Sequence, residues 1–217
     1  TMQGGSVAMA GLKADNELKL RTLSSIGIVI VIIGSISYGG YLWTAVATAI
    51  ALISLSEYYS LITRRKGYKV SPGVGYIYSL LIMFAAMQKN LQSMILALLL
   101  ALCVCSVLVI EVFRRQMTGG ESSAITNAGG VVSGVLYITV PWACMVMLRD
   151  YVVGRQILIT IFACTWGCDV FAYLGGKAFG TVKLCKHVSP GKTVQGFVAR
   201  NVHDYIMQSK QALPSVP

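Results

Sequence analysis

Charge is scarce in this sequence. Asp, Glu, Lys and Arg together fill 12% of its 217 positions, about half of the quarter that a soluble domain carries. That shortage, with several long uncharged apolar runs, excludes an ordinary soluble domain and indicates an integral membrane protein. Acids are scarcer still, 8 against 18 basic residues, which leaves a formal net charge of +10. The basic excess sits mostly in loops beside the apolar runs, where it meets anionic lipid headgroups, so nucleic acid is not an expected partner. Histidine occurs only as His187 and His203, and both read as loop residues. The six cysteines at 103, 105, 144, 164, 168 and 185 do not supply two Cys/His pairs at zinc-ligand spacing, although Cys164 and Cys168 share a helix face at i, i+4. Five of the six lie inside apolar runs and read as small apolar side chains. A cleavable signal peptide is not expected either. Lys13, Asp15, Glu17, Lys19 and Arg21 precede the first apolar run, which is far too long for a signal sequence.

The apolar runs are what the sequence does have. No charge occurs between Leu23 and Ser56, 34 residues that exceed one span of about 20. Ser37-Tyr38-Gly39-Gly40 is the natural break, because paired glycines favour a turn. The expected spans are 23–37, 41–60, 72–88, 91–110, 124–147 and 156–175. Pro141 falls inside the fifth, a kink that membrane helices tolerate where neighbours satisfy the freed carbonyl. The expected architecture is an all-α polytopic membrane protein of about six helices. It comprises an N-terminal segment 1–22, a membrane domain 23–197 with a basic loop at 175–196, and a polar tail 198–217. With a cytoplasmic N-terminus, 15 of the 18 basic residues fall on the cytoplasmic side. Lys89, Arg149 and Arg155 fall opposite. That asymmetry predicts the orientation.

The basic loop ends in Gly191-Lys192-Thr193, the ending of a nucleotide-binding P-loop. A Walker motif needs a glycine five residues before Gly191, and Lys186 stands there. A P-loop also joins a buried strand to a helix, whereas an apolar span comes before this segment. The Walker reading is excluded. The segment still favours phosphate. Pro190-Gly191 predicts a tight turn with exposed backbone N–H groups, Thr193 adds a hydroxyl and Lys192 a point charge. From Gly175 to Thr193 there are four lysines, among them Lys177 and Lys183, and no acid.

Asp169 lies within the preceding span, about two turns from its cytoplasmic end. An acid near the centre of a membrane helix costs about 2.5–3.5 kcal/mol on insertion scales, so it faces an internal cavity, a partner or an ion. A protonated, hydrogen-bonded structural Asp is the alternative. Trp166 at i−3 and Tyr173 at i+4 share its face and are candidates to line such a cavity.

The stretch "WGCDVFAYLGGKAFGTVKLCKHVSPGKTVQGF" resembles the phosphatidate cytidylyltransferases. The family pattern runs Trp, Asp-x-x-Ala-Tyr, Gly-[Arg/Lys]-x-Phe-Gly, a basic linker and Ser-Pro-Gly-Lys-Thr-x-x-Gly. It meets Trp166; Asp169, Ala172 and Tyr173; Gly176, Lys177, Phe179 and Gly180; and Ser189, Pro190, Gly191, Lys192 and Thr193 with Gly196. Glu57-Tyr58-Tyr59, the closely spaced first helices and the turn at Gly154 resemble the family more loosely. The likeness covers most of residues 21–197. The family's second signature, ending in Asp-Arg-x-Asp, has no match here.

The resemblance implies that phosphatidic acid attacks the α-phosphorus of CTP, giving CDP-diacylglycerol and pyrophosphate, with Mg²⁺ as cofactor and membrane lipids as surroundings. It implies that Asp169 acts at the catalytic centre as a Mg²⁺ ligand or by orienting one. Lys192 and Thr193, with the backbone at Pro190-Gly191, would grip CTP phosphates, and Ser189 would shape the turn or donate to a phosphate. Lys177 and Lys183 would draw in anionic substrate, and Trp166 and Tyr173 would line the site, with plain packing an equal alternative for these two. The location implied is the inner (plasma) membrane with the basic loop facing the cytoplasm. Homodimerisation is common among membrane enzymes, and no residue specifies it here. A CTP-dependent polyprenol or lipid kinase, and an inactive family member that only binds lipid or partners, are the alternative readings.

Overall fold

The structure, a computed structural model, describes residues 23–64, 70–88, 92–117, 124–185, 189–199 and 201. Among these residues the chain is almost wholly helical. Helix α1 covers Leu23–Tyr38. It is followed by α2 (Gly40–Thr63), α3 (Pro72–Ala85), α4 (Gln92–Met117), α5 (Ala124–Gly134), a π-helical turn (Val135–Thr139), α6 (Val140–Arg149) and α7 (Gly154–Phe179). Strands β1 (Lys183–Cys185) and β2 (Ser189–Thr193) follow, and a short helical segment covers 194–199. The chain divides into two compact units, Thr1–Arg155 and Gln156–Pro217.

Among the described residues four helices are long and apolar enough to cross a membrane: Gly40–Thr63, Met94–Met117, Ala124–Arg149 and Gly154–Phe179. Leu23–Tyr38 and Pro72–Ala85 are apolar but shorter. The six expected spans therefore correspond to four full-length helices and two short ones. At 1.5 Å per residue, α3 reaches about 21 Å against a hydrocarbon core of about 30 Å. Pro72 starts α3 at the first helical position, where its missing N–H costs nothing. Large apolar side chains such as Ile53, Leu80, Leu98 and Leu108 point outward, as they do where lipid is the solvent. The chain is an all-α polytopic membrane protein, with one small hairpin as the exception.

In the first unit the break between α1 and α2 falls at the paired glycines. Gly39 and Gly40 have φ values of 74° and 55°, a left-handed region that glycine enters at no steric cost. The guanidinium of Arg149 closes the joint. Its Nε donates to the Ile36 carbonyl at 2.6 Å and its Nη2 to the Ser37 carbonyl at 3.4 Å. These carbonyls belong to the last turn of α1, which has no helical donors of its own to satisfy them.

Helix α2 is the spine of this unit and packs on α3, α5, the π-helical turn and α6. Its buried residues Trp43, Ala47, Ala51, Leu55 and Tyr59 recur every four positions, and the two alanines let neighbouring backbones approach closely. Pro141 lacks an N–H and its ring crowds the carbonyl four residues back. The helix responds just before it by widening into the π-helical turn, where Val140 donates to Val135. Such widening is a recognised relief of a helical ladder.

Two polar clusters lie inside. Glu111 on α4 is 1% exposed. It accepts from Arg114 Nη1 at 2.9 Å and from Asn127 Nδ2 of α5 at 3.3 Å, and Arg114 also donates to Ser71 at the head of α3. A buried carboxylate needs such partners, and these join three helices. Ser79 of α3 and Thr139 of the π-helical turn share a buried hydrogen bond of 2.9 Å.

Tyr59 fills a slot made by two glycines. Its hydroxyl donates to the Val131 carbonyl at 3.0 Å, and its ring meets Tyr76 edge-on at 5.7 Å. A Cβ on Gly75 would stand 2.0 Å from the Tyr59 hydroxyl, and one on Gly134 would stand 2.8 Å from its ring. Gly75→Ala is therefore expected to lower the thermal midpoint of the detergent-purified protein, followed by circular dichroism. Tyr59→Phe, which keeps the ring, should cost only about 1 kcal/mol. A Gly75→Ala midpoint at or above the parent's would show that the slot has room to spare.

Candidate functional site

The second unit is built on α7 and the hairpin after it. Strands β1 and β2 are antiparallel, with Lys183 opposite Thr193 and Cys185 opposite Ser189. Two steps along β1 thus face four along β2, so the chain between Ser189 and Thr193 bulges from the ladder. Proline cannot donate to a ladder, and a bulge is one of the few places a strand accepts it. Here the sequence expectation needs correction. Pro190 and Gly191 stand in a bulged strand and not in a tight turn, because pairing of Lys183 with Thr193 draws the segment into a sheet. Of Ser189, Pro190 and Gly191 the structure describes the backbone. Lys186, His187 and His203 lie outside the described residues.

Thr193 then starts the helical segment 194–199 and caps it. Its Oγ1 accepts the Gly196 N–H at 3.3 Å, the bond by which a threonine satisfies one orphan donor of a first turn. Glycines surround this residue. A Cβ on Gly176 would lie 3.0 Å from Thr193 Oγ1, and one on Gly180 would lie 2.8 Å from Thr193 Cγ2. A Cβ on Gly196 would lie 2.7 Å from the Ala172 carbonyl oxygen, and one on Gly175 2.5 Å from the Ala199 Cβ. Bare backbone on both sides allows the segment to lie directly on α7. The glycines of the motif thus act in packing.

This contact shapes a cavity of about 550 Å³ lined by Asp169, Ala172, Tyr173, Gly176, Lys177, Leu184, Lys192, Thr193, Gly196 and Phe197. Five residues expected at a site from the sequence come together there: Asp169, Tyr173, Lys177, Lys192 and Thr193. Asp169 and Tyr173 project one turn apart from α7. Lys177 follows one turn later, its Nζ 5.9 Å from the centre of the Tyr173 ring. That distance suits a cation–π contact. Lys192 reaches the cavity from the β2 bulge.

Two expected residues stand elsewhere. Trp166 does not line the cavity; its ring packs on Phe162 with centroids 5.4 Å apart. Sharing a face with Asp169 was not sufficient, because Trp166 lies a turn deeper than the point where the hairpin covers α7. Lys183 is exposed beside the cavity, held by its pairing with Thr193. Leu184 and Phe197 line the cavity and were not expected to. Only the hairpin's path brings them there, and no spacing in the sequence encodes it.

Two lysines against one aspartate give the lining a positive balance, set against an apolar wall of Ala172, Tyr173, Leu184 and Phe197. Such a cavity suits an anion that carries a flat or greasy group. Among the described residues Asp169 is the one acid in the lining, and no cluster of three or more His, Cys, Asp or Glu suited to a metal occurs among them. Magnesium is commonly held by one or two carboxylates together with substrate phosphates and water. A single exposed aspartate fits that arrangement and does not fit an all-protein cage.

Gly196→Ala tests the seam. Its new Cβ would meet the backbone carbonyl of Ala172, which has no rotamer to yield. Hydrogen exchange across 192–199 is expected to rise at least tenfold, with α2 to α6 unchanged. Exchange equal to the parent's would show the two backbones to be further apart than this.

Comparisons with known proteins agree on one group. The sequence profile described as the Cytidylyltransferase family matches residues 19–209, which extends into the segment read from sequence as a polar tail. The phosphatidate cytidylyltransferase of Pseudomonas aeruginosa is 38% identical over 63 residues, 29% of this chain and 23% of that protein. That of Chlamydia pneumoniae is 34% identical over 97 residues, 41% of this chain and 30% of that protein. That of Rickettsia prowazekii is 25% identical over 108 residues, 50% of this chain and 47% of that protein. The chain thus spans between 23% and 47% of the length of these curated relatives. No solved structure gives a significant match. With the profile running through α1 to α7 and the hairpin that covers the cavity, the chain belongs to the Cytidylyltransferase family.

Proposed function

We propose that this chain transfers CMP from CTP to phosphatidic acid, giving CDP-diacylglycerol and pyrophosphate. The observation that carries the reading is the cavity itself. It gathers Asp169, Lys177, Lys192 and Thr193 in a chain of this family, and the curated relatives it resembles are phosphatidate cytidylyltransferases.

The reaction joins two anions. A phosphate oxygen of phosphatidic acid forms a bond to the α-phosphorus of CTP. The bond from that phosphorus to the oxygen bridging the β-phosphate breaks, and pyrophosphate leaves with the electron pair. The nucleophile is already ionised, so no strong general base is required. What the site must supply is positive charge where repulsion is greatest and where charge develops on the leaving group. Lys192 and the bulged backbone at Pro190-Gly191 hold the CTP phosphates, with Ser189 shaping the bulge. Lys177 and Lys183 attract the lipid phosphate, and the apolar wall shields the reacting groups from water. Asp169 would hold Mg²⁺ together with substrate oxygens. When bound, that ion neutralises phosphate charge.

The concentration of lysine in 175–193 supports a cytoplasmic face for this site, where CTP is available, in the inner (plasma) membrane. Both substrates then meet at the membrane surface, the lipid arriving from the bilayer and the nucleotide from solution.

Two experiments test this reading. With the purified chain, phosphatidic acid vesicles, Mg²⁺ and labelled CTP, label from the cytidine moiety should appear in the lipid. Transfer of γ-phosphate label instead would make the protein a kinase, and absence of both would refute catalysis by this chain. Lys192→Ala and Asp169→Asn should each reduce CMP transfer at least 100-fold, a loss in the range that follows removal of one preorganised charge contact. Parental rates in either variant would remove that residue from the mechanism.

A further inference from the structure

Gln195 does not line the cavity, yet its side chain makes three hydrogen bonds at the junction beside it. Its Oε1 accepts from the N–H of Thr181 at 3.3 Å and of Val182 at 3.4 Å. Its Nε2 donates to Thr181 Oγ1 at 2.7 Å. The backbone joins at the same place, with the Val194 N–H donating to the Val182 carbonyl at 3.0 Å. The Gly180 N–H still donates to the Gly176 carbonyl at 3.0 Å, but Thr181 and Val182 belong to neither helix nor strand, so their N–H groups have no ladder to satisfy them. Gln195 takes the place of that ladder.

We propose that Gln195 is a positioning residue, whose carboxamide clamps the exit of α7 to the start of the 194–199 segment and so sets where Lys192 stands over the cavity. The proposal rests on the nucleotide reading of that cavity. Its logic follows from the order of the chain. Lys177 lies in the last turn of α7, just before the clamped residues, and Lys183 lies just after them. Lys192 precedes Gln195 by three positions. All three lysines are attached to one joint, and the side chain of Gln195 bridges it. Misplacement of a binding group by about 1 Å can cost 100-fold in rate, so a joint of this kind governs activity without touching substrate.

The three bonds are exposed to solvent. Water can replace them when the side chain is removed, so the protein should remain folded while the joint loosens. A carboxylate at this position accepts the same two N–H bonds, and the Thr181 hydroxyl can turn to donate to it. Glutamate should therefore preserve the clamp where alanine abolishes it.

The test is calorimetric titration of CTP with Mg²⁺ into the purified full chain in detergent, beside its thermal midpoint. Gln195→Ala should raise Kd about tenfold with the midpoint unmoved, and Gln195→Glu should stay within about twofold of the parent. Thr181→Val should weaken binding less than Gln195→Ala and add nothing when combined with it, the signature of two groups in one contact. Parental affinity in Gln195→Ala overturns the proposal. So does a Gln195→Glu variant as weak as the alanine, or a midpoint that falls with affinity, which would make the residue merely structural. A parent that binds no CTP overturns the nucleotide reading and this proposal with it. A parent that binds, with variants that behave alike, removes only the clamp.

Discussion

Everything at the cavity depends on how closely the 194–199 segment can approach α7. That approach is set by side chains that are absent. Gly176, Gly180 and Gly196 converge on Thr193, and each would drive a Cβ into a neighbour at 3.0 Å or less. Bare backbone on one side therefore determines where Lys192 stands on the other. Thr193, which looks from its motif like a phosphate ligand, also caps the following helical turn. Its hydroxyl holds the joint while its neighbour Lys192 lines the cavity.

The same economy recurs in the first unit. Tyr59 occupies space left by Gly75 and Gly134, and Ala47 and Ala51 continue the buried stripe of α2. In lipid, helices gain nothing by hiding apolar surface from one another, so close contact and internal polar bonds hold them together. The Glu111, Arg114, Asn127 and Ser71 cluster and the Ser79–Thr139 bond supply the second kind. Small residues supply the first.

Much of this was legible in the sequence because its causes are local. Absence of charge located the apolar helices, and paired glycines located the joint at Gly39-Gly40, since positive φ is a property of single residues. Asp169 and Tyr173 could be placed on one helix by counting, whereas Lys177, expected in the loop after it, stands in the last turn of α7. The hairpin was not legible. Its register pairs residues across a reversal, and Pro190-Gly191 signals a turn to any reading that cannot see Lys183 opposite Thr193. Counting also could not tell lining from packing for Trp166, which packs on Phe162: a helix face runs the length of α7, whereas the hairpin covers only part of it. Nothing in the sequence singled out Glu111, because its partners beyond its own helix come from α5 and, through Arg114, from the head of α3.

The π-helical turn before Pro141 has a consequence for the helix beyond it. One extra residue in a turn rotates everything downstream by about 100°. The phase of α6 is therefore set at Val135–Thr139, and with it the direction of Trp142, whose ring lies 6.4 Å from that of Trp43, and of Arg149, which reaches back to the end of α1. Removing a single residue there would leave a helix still long enough to span the bilayer but aimed wrongly at both contacts. In this stretch of chain, angular phase matters more than length.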